Sequence, residues 1–218
     1  MIRVVIADDQ DLVRAGIAAI LSAHDDLEVV GEAADGAAAA RTARKARADV
    51  VLMDVQMPGT DGITGAREVA AARPEARVLM LTMFDLDEHV FGALRAGASG
   101  FLLKTTAPDD LVAAVRAVHS GDLLFAPSVT RRLVESYVRR PPTTGALPAV
   151  LAPLTDRELD VFRAIAKGWS NAEIGARLFL GEATVKTHVT RILAKLGLRD
   201  RVQAVVLAYE CGLVPEET

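Results

Sequence analysis

The stretch Ala48-Asp49-Val50-Val51-Leu52-Met53-Asp54-Val55-Gln56-Met57-Pro58-Gly59 decides how the first half of this chain is read. Val50 to Met53 is an uninterrupted apolar run, short and β-branched at its start, as expected of a strand buried on both faces. It stops at a carboxylate, Asp54, and Pro58-Gly59 then turns the chain. A carboxylate at the carboxyl end of a buried strand stands where open α/β sheets hold their ligands. An aspartate there can equally cap the turn into the next helix. The choice depends on whether other acidic groups reach the same sheet edge.

Outward from this stretch, strand-like runs recur at Ile2–Ala7, Leu27–Ala33, Val50–Met53, Arg77–Leu81 and Gly100–Leu103. Segments with helical spacing separate and follow them: Leu12–Ala23, Gly36–Ala46, Gly62–Ala72, Asp87–Ala96 and Pro108–His119. Five strands alternating with five helices predict an α/β fold with a parallel sheet covered on both faces. The first strand ends in Asp8-Asp9, the third in Asp54, the fourth in Thr82 and the fifth in Lys104. In the flavodoxin-like order 2-1-3-4-5, strands one and three flank the switch point, so Asp8, Asp9 and Asp54 converge in one crevice. Three carboxylates that close repel one another unless a cation or proton intervenes. Hard oxygen ligands in this number suit Mg²⁺.

These residues, with Met57-Pro58-Gly59, Asp61-Gly62 and Gly97-Ala98-Ser99-Gly100-Phe101 ahead of Lys104, resemble the receiver domain of a two-component response regulator over roughly residues 1–120. The resemblance implies a (βα)5 fold in which Asp54 is the phosphoacceptor, a carboxylate nucleophile that forms an acyl phosphate. It implies Mg²⁺ held directly by Asp9, Asp54 and the backbone carbonyl of Gln56, with Asp8 acting through a bound water. Lys104 then supplies a compact positive charge to phosphoryl oxygens, and Thr82 a hydroxyl donor. Phe101 falls where receivers carry a switch aromatic that turns inward when the hydroxyl residue moves; the alternative is a fixed core phenylalanine. Gln56 and Phe84 fall where side chains line the approach to the acyl phosphate, and Phe84 is expected to screen it from water.

Composition agrees with a soluble globular chain: 218 residues, 51% hydrophobic and 25% charged,. No apolar stretch is long enough to span a bilayer, and Met1-Ile2-Arg3-Val4 enters a strand without signal-peptide anatomy,. Cys211 is the single cysteine, so no intramolecular disulfide can form,. A cytoplasmic location without membrane association is therefore expected. The net charge of −4 is unevenly spread. Residues 1–120 hold 12 Lys+Arg against 18 Asp+Glu (−6), residues 121–152 hold 4 against 2 (+2), and residues 153–218 hold 9 against 9 (0). Within 182–202 the balance is 5 against 2, or +3. That distribution suits a cation site in front and an anionic partner behind.

Residues 121–152 read as a connection: a helix with a basic face over Ser128–Arg140, then a Pro-rich linker from Pro141-Pro142 to Pro148,. Beyond it, Thr155 and Glu158 form a capping box, Ser170 and Glu173 cap a second short helix, and Gly181 breaks the chain before a third at Ala183–Lys195,. A fourth is expected over Asp200–Cys211. Two helices joined by a tight Gly-containing turn make a helix-turn-helix. In the third helix Val185, Val189, Ile192 and Leu196 form the core stripe, leaving Lys186, Thr187, Thr190 and Arg191 on the free face,. A face of that composition can lie in a major groove.

Leu154-Thr155, Arg157-Glu158, Gly168-Trp169-Ser170-Asn171, Glu173-Ile174, Thr184-Val185-Lys186 and Ile192-Leu193 resemble the LuxR/NarL-type DNA-binding domain, within an all-α unit at 153–218. The resemblance implies DNA contacts from Lys186, Thr187, Thr190 and Arg191, with His188 either a phosphate contact or a structural hydrogen-bonder. Gly181 replaces the serine usual before this helix, which removes a side-chain cap at a cost of only a few tenths of a kcal/mol.

The two resemblances together predict a transcriptional regulator phosphorylated by a sensor histidine kinase, dimerising on activation and binding double-stranded DNA at paired half-sites. It is expected to catalyse nothing beyond its own phosphorylation and dephosphorylation. An aspartyl-phosphate hydrolase would want a second carboxylate two residues after Asp54, where Gln56 stands. A regulator that works without phosphorylation would show a degraded acidic pocket, and this one is complete. A flavin-binding module would need a phosphate-cradling loop after the first strand, where Asp8-Asp9-Gln10-Asp11 would repel a phosphate.

Overall fold

The computed structural model of the chain describes residues 1–83, 90–121 and 148–213. Phe84, the basic helix expected over Ser128–Arg140 and the linker as far as Leu147 lie outside the described residues. The chain divides into two compact units, Met1–Val129 and Thr130–Thr218.

In the first unit, β1 (Ile2–Ala7), β2 (Leu27–Ala33), β3 (Val50–Asp54), β4 (Arg77–Thr82) and β5 (Ala98–Leu103) form one sheet in the order β2-β1-β3-β4-β5. All four pairings are parallel. The helices α1 (Asp11–Ser22), α2 (Gly36–Lys45), α3 (Gly62–Ala72), α4 (Val90–Ala96) and α5 (Pro108–Ser120) alternate with the strands. The central strands carry almost no polar side chains because both of their faces are covered: Val50 to Met53 and Val4 to Ala7 have no exposed surface,. One core layer joins Val4, Ile6, Leu52 and Leu79 to Ile17 and Leu21 of α1 and Leu111, Val115 and Val118 of α5. On the other side α2 and α3 approach at a pair of glycines; a Cβ on Gly65 would stand 2.6 Å from the Gly36 Cα. Small residues here let the two helix backbones touch.

Strand ends differ slightly from the sequence reading. β3 includes Asp54, which pairs with Leu81, so its backbone is fixed by the ladder rather than released into the turn. β5 begins two residues early, at Ala98, because Ala98 and Ser99 are buried beside β4.

The second unit contains a short 3-10 turn at Ala149–Leu151, then α6 (Asp156–Ala166), α7 (Asn171–Leu178), α8 (Glu182–Leu196) and α9 (Arg201–Glu210). Both expected capping boxes form, Thr155 with Glu158 and Ser170 with Glu173. Gly181 caps α8 without a side-chain bond, and Gly197 ends it in the left-handed region,. Phe162, Ile165, Ile174, Val185, Ile192, Val202 and Val205 form the core; Val189 and Leu196 are only half-buried.

Candidate functional site

The sheet delivers its chemistry at the carboxyl edge. Ala7 pairs with Met53, so Asp8 follows β1 beside Asp54 at the end of β3. Thr82 closes β4 opposite Leu103, and Lys104 comes next. The Lys104 backbone N–H donates to the Thr82 carbonyl at 2.8 Å, which sets the start of the lysine side chain beside the hydroxyl residue.

Asp54 does not cap the following helix. That role belongs to Asp61, whose carboxylate accepts from the Thr64 backbone N–H at 2.8 Å at the start of α3. Asp54, 5% exposed, instead faces Lys104 Nζ at 2.9 Å, and the same ammonium lies 2.6 Å from Asp8 Oδ2. Asp8 is wholly buried, and its Oδ1 accepts from the Gln10 backbone N–H at 2.9 Å. Burial pushes the Asp54 carboxyl above its ordinary range; Lys104 works against this and the Asp8 charge adds to it,. Burial alone would lower the Lys104 ammonium, but its hydrogen bonds to Asp8 and Asp54 outweigh it and hold the lysine charged.

Asp8, Asp9 and Asp54 each place one carboxylate oxygen within 4.8 Å of the others, with Asp9 exposed at the mouth. Asp8 Oδ2 is held by the Lys104 ammonium at 2.6 Å. Three converging hard oxygens, one of them at the open mouth of the crevice, fit a small divalent cation,. The Gln56 side chain is exposed, while its backbone amide helps hold the Asp54 carboxylate. Thr82 is buried at the same edge, and Phe101 is buried on β5 beside Met80.

Arg14 escaped the sequence reading, and Gly62 was read there only as part of a motif and a helix start. Arg14 donates from Nη1 to the Asp8 carbonyl at 2.6 Å while Glu32 and Asp11 brace the guanidinium, clamping the turn that carries Asp8 and Asp9. The i,i+3 spacing from Asp11 was visible, but the carbonyl contact has no sequence signal. Gly62 starts α3 against Asp54: a Cβ there would stand 1.8 Å from the Asp54 carbonyl oxygen.

In the second unit α8 exposes Lys186, Thr187, Thr190 and Arg191 along one side, with Val185 and Ile192 buried opposite. The hydroxyls of Thr187 and Thr190 donate back to the carbonyls of Ala183 and Lys186, each at 3.0 Å, so the hydroxyl hydrogens are turned into the helix,. His188 is half-buried, and its Nδ1 is enclosed without a protein hydrogen-bond partner. Lys195 anchors α8 to α6 through the buried Glu158 carboxylate at 2.5 Å.

A doubly wound α/β unit with an acidic crevice, joined to a helix-turn-helix unit, defines a class: a regulator whose receiver is coupled to DNA binding. Residues 4–116 match the response regulator receiver domain, and residues 152–208 match the bacterial regulatory proteins of the luxR family. An uncharacterized transcriptional regulatory protein of Bacillus subtilis (strain 168), YxjL, is 43% identical over 98% of this chain and 97% of its own length. The response regulator VraR of Staphylococcus aureus (strain Mu3 / ATCC 700698) is 38% identical over 98% of this chain and 99% of its own. Among solved structures, the response regulator ChrA of a heme-sensing two-component system aligns at 39% identity, covering 98% of each chain, with a TM-score of 0.52. The RcsB–DNA complex aligns at 28% identity over 95% of this chain and 98% of that one, with a TM-score of 0.56. The chain belongs to the two-component response regulators that join a receiver domain to a LuxR-type DNA-binding domain. No helix among the described residues is long and apolar enough to cross a membrane.

Proposed function

We propose that this regulator accepts a phosphoryl group on Asp54 from a sensor histidine kinase and thereby controls DNA binding by its C-terminal unit. The observation that carries the reading is the pairing of one ammonium, Lys104, with two buried carboxylates at the sheet edge where Asp9 also arrives. Asp54 attacks the phosphorus of the incoming phosphoryl group, and its bond to the donor nitrogen breaks as the acyl phosphate forms. Lys104 moves its charge from the Asp54 carboxylate to the new phosphoryl oxygens, and the Thr82 hydroxyl donates to one of them. Mg²⁺ would be held by Asp8, Asp9, Asp54 and the Gln56 backbone carbonyl, supplying neutralising charge to the phosphoryl oxygens. Phe101 acts as the switch aromatic, following Thr82.

The division of labour is a phosphoacceptor domain over 1–120, a connection over 121–152 and a DNA-binding domain over 153–218. Lys186, Thr187, Thr190, Arg191 and His188 contact duplex DNA, and a phosphorylation-dependent homodimer spans paired half-sites about one helical turn apart or a multiple of it. The work is done in the cytoplasm. Incubation with labelled acetyl phosphate and Mg²⁺ tests the central residue. Wild-type protein takes up label and Asp54→Asn takes up none; equal labelling of the two would overturn the assignment.

A further inference from the structure

One concavity in the DNA-binding unit is used by neither the phosphoacceptor site nor the DNA-reading face. It lies between α6 and α7 as a depression of about 530 Å³ that opens broadly to solvent, with Ala164, Trp169 and Leu178 in its lining. Its charged lining is Asp160, Arg163, Lys167 and Arg177, three cations against one carboxylate. None of the α8 residues assigned to DNA contributes to it.

The charges are arranged in a particular way. The Lys167 ammonium lies 5.0 Å from the Trp169 ring centroid, and the Arg177 guanidinium lies over the same ring at 4.0 Å. Two cations therefore converge on one indole. The ring's quadrupole attracts each of them, while their like charges repel. Among the described residues no carboxylate oxygen reaches ion-pairing distance of Lys167 or Arg177. Glu173, the nearest candidate along α7, feels Arg177 only as a distant field, because its carboxylate is taken by the Ser170 amide and hydroxyl at 2.7 and 2.8 Å. Asp160 is drawn aside by weak contacts with Arg157 at 3.9 Å and Arg163 at 3.8 Å. Beside Leu178, Phe179 is 93% exposed and held at φ 56°, where a β-carbon is unfavourable,.

We infer that this cation-and-indole pocket docks an acidic segment of a partner protein, its carboxylates against Lys167 and Arg177 and an aliphatic side chain on the Trp169, Ala164 and Leu178 floor. Charge complementarity selects an anion, and the apolar floor selects a protein over a nucleic-acid backbone. The inference rests on α8 being the DNA-reading helix, since no α8 residue lines this pocket.

Trp169 is the only tryptophan in the chain, so its fluorescence reports on this pocket. Full-length protein is titrated with a ten-residue peptide in which Asp and Leu alternate, and with the same peptide carrying Lys for Asp. The acidic peptide is expected to change the indole emission saturably and the basic one not at all. Lys167→Glu combined with Arg177→Glu is expected to weaken the acidic peptide by about tenfold or more. The same variant should keep its circular dichroism and its affinity for a duplex selected by the wild type from a random pool, which separates this inference from the DNA-binding assignment. No saturable change in the wild type, or a response indifferent to charge reversal, would overturn the proposal. So would a selected duplex that displaces the acidic peptide, since the pocket would then be a phosphate contact.

Discussion

Gly62 is constrained more tightly than any residue whose side chain takes part in the site. Its missing β-carbon leaves room for the Asp54 carbonyl, which would otherwise be 1.8 Å away. The neighbour is backbone held in the β3–β4 ladder, so it cannot yield without moving the phosphoacceptor. Gly62→Ala should therefore cost about 2 kcal/mol or more of stability and reduce labelling of Asp54 together with it. A thermal melt within a degree of wild type would mean that the loop relaxes freely. Phe179 is the opposite case: a large side chain with no packing to lose, on a backbone that favours Asn or Gly,. Phe179→Asn should raise stability by about 1 kcal/mol, the order of the left-handed penalty it removes. A lower melting temperature would show that the ring is packed in solution. Neither effect was legible in the sequence: Gly62 read as part of the receiver-like motif and the start of a helix, and Phe179 gave no signal. Both depend on what lies across from them, and no local pattern encodes that.

At the scale of elements, the Glu158–Lys195 contact shows how a helix start is tied to a distant helix. Glu158 is buried, and hydrogen bonding from Lys195, then from the Thr155 backbone, lowers its carboxyl from 4.5 to about 2. A folded-state value below the unfolded one stabilises the fold above the unfolded value. The contribution is complete above about pH 4.5 and drains away as pH falls toward about 2. Lys195 is partly exposed, so solvent screens the pair, and about 1–2 kcal/mol is a fair size for it at neutral pH,. Glu158→Gln should lose that amount at pH 7 and flatten the stability profile between pH 4.5 and 2. Chemical denaturation at a series of pH values checks this, and parallel wild-type and variant profiles would contradict it. The capping boxes themselves were readable from Thr155, Glu158, Ser170 and Glu173, since a cap is written within four consecutive residues. The second bond of Glu158, to a lysine 37 residues on, was not.

For the whole molecule, alternation of apolar runs with Ala-rich helical segments was enough to read a parallel sheet covered on both faces, and the receiver resemblance supplied its order. The same logic placed Asp8, Asp54, Thr82 and Lys104 at one edge before any distance was known. What it could not supply was Lys104 bridging Asp8 and Asp54, or Arg14 clamping the Asp8 carbonyl, since both depend on side chains meeting across strands. Arg14→Ala should loosen the turn that carries Asp8 and Asp9, weakening Mg²⁺ binding by roughly tenfold while leaving the fold intact. Calorimetric titration with Mg²⁺ measures it, and unchanged affinity would remove Arg14 from the site.

The central claim is that a charge placed on Asp54 is felt by α8. Duplex DNA selected by the wild-type protein can be titrated with wild type and Asp54→Asn, each with and without acetyl phosphate and Mg²⁺. The account predicts that acetyl phosphate changes the DNA affinity of the wild type and leaves Asp54→Asn at the untreated value. A variant that responds to acetyl phosphate as the wild type does, or a wild type that is phosphorylated without any change in DNA affinity, would contradict it.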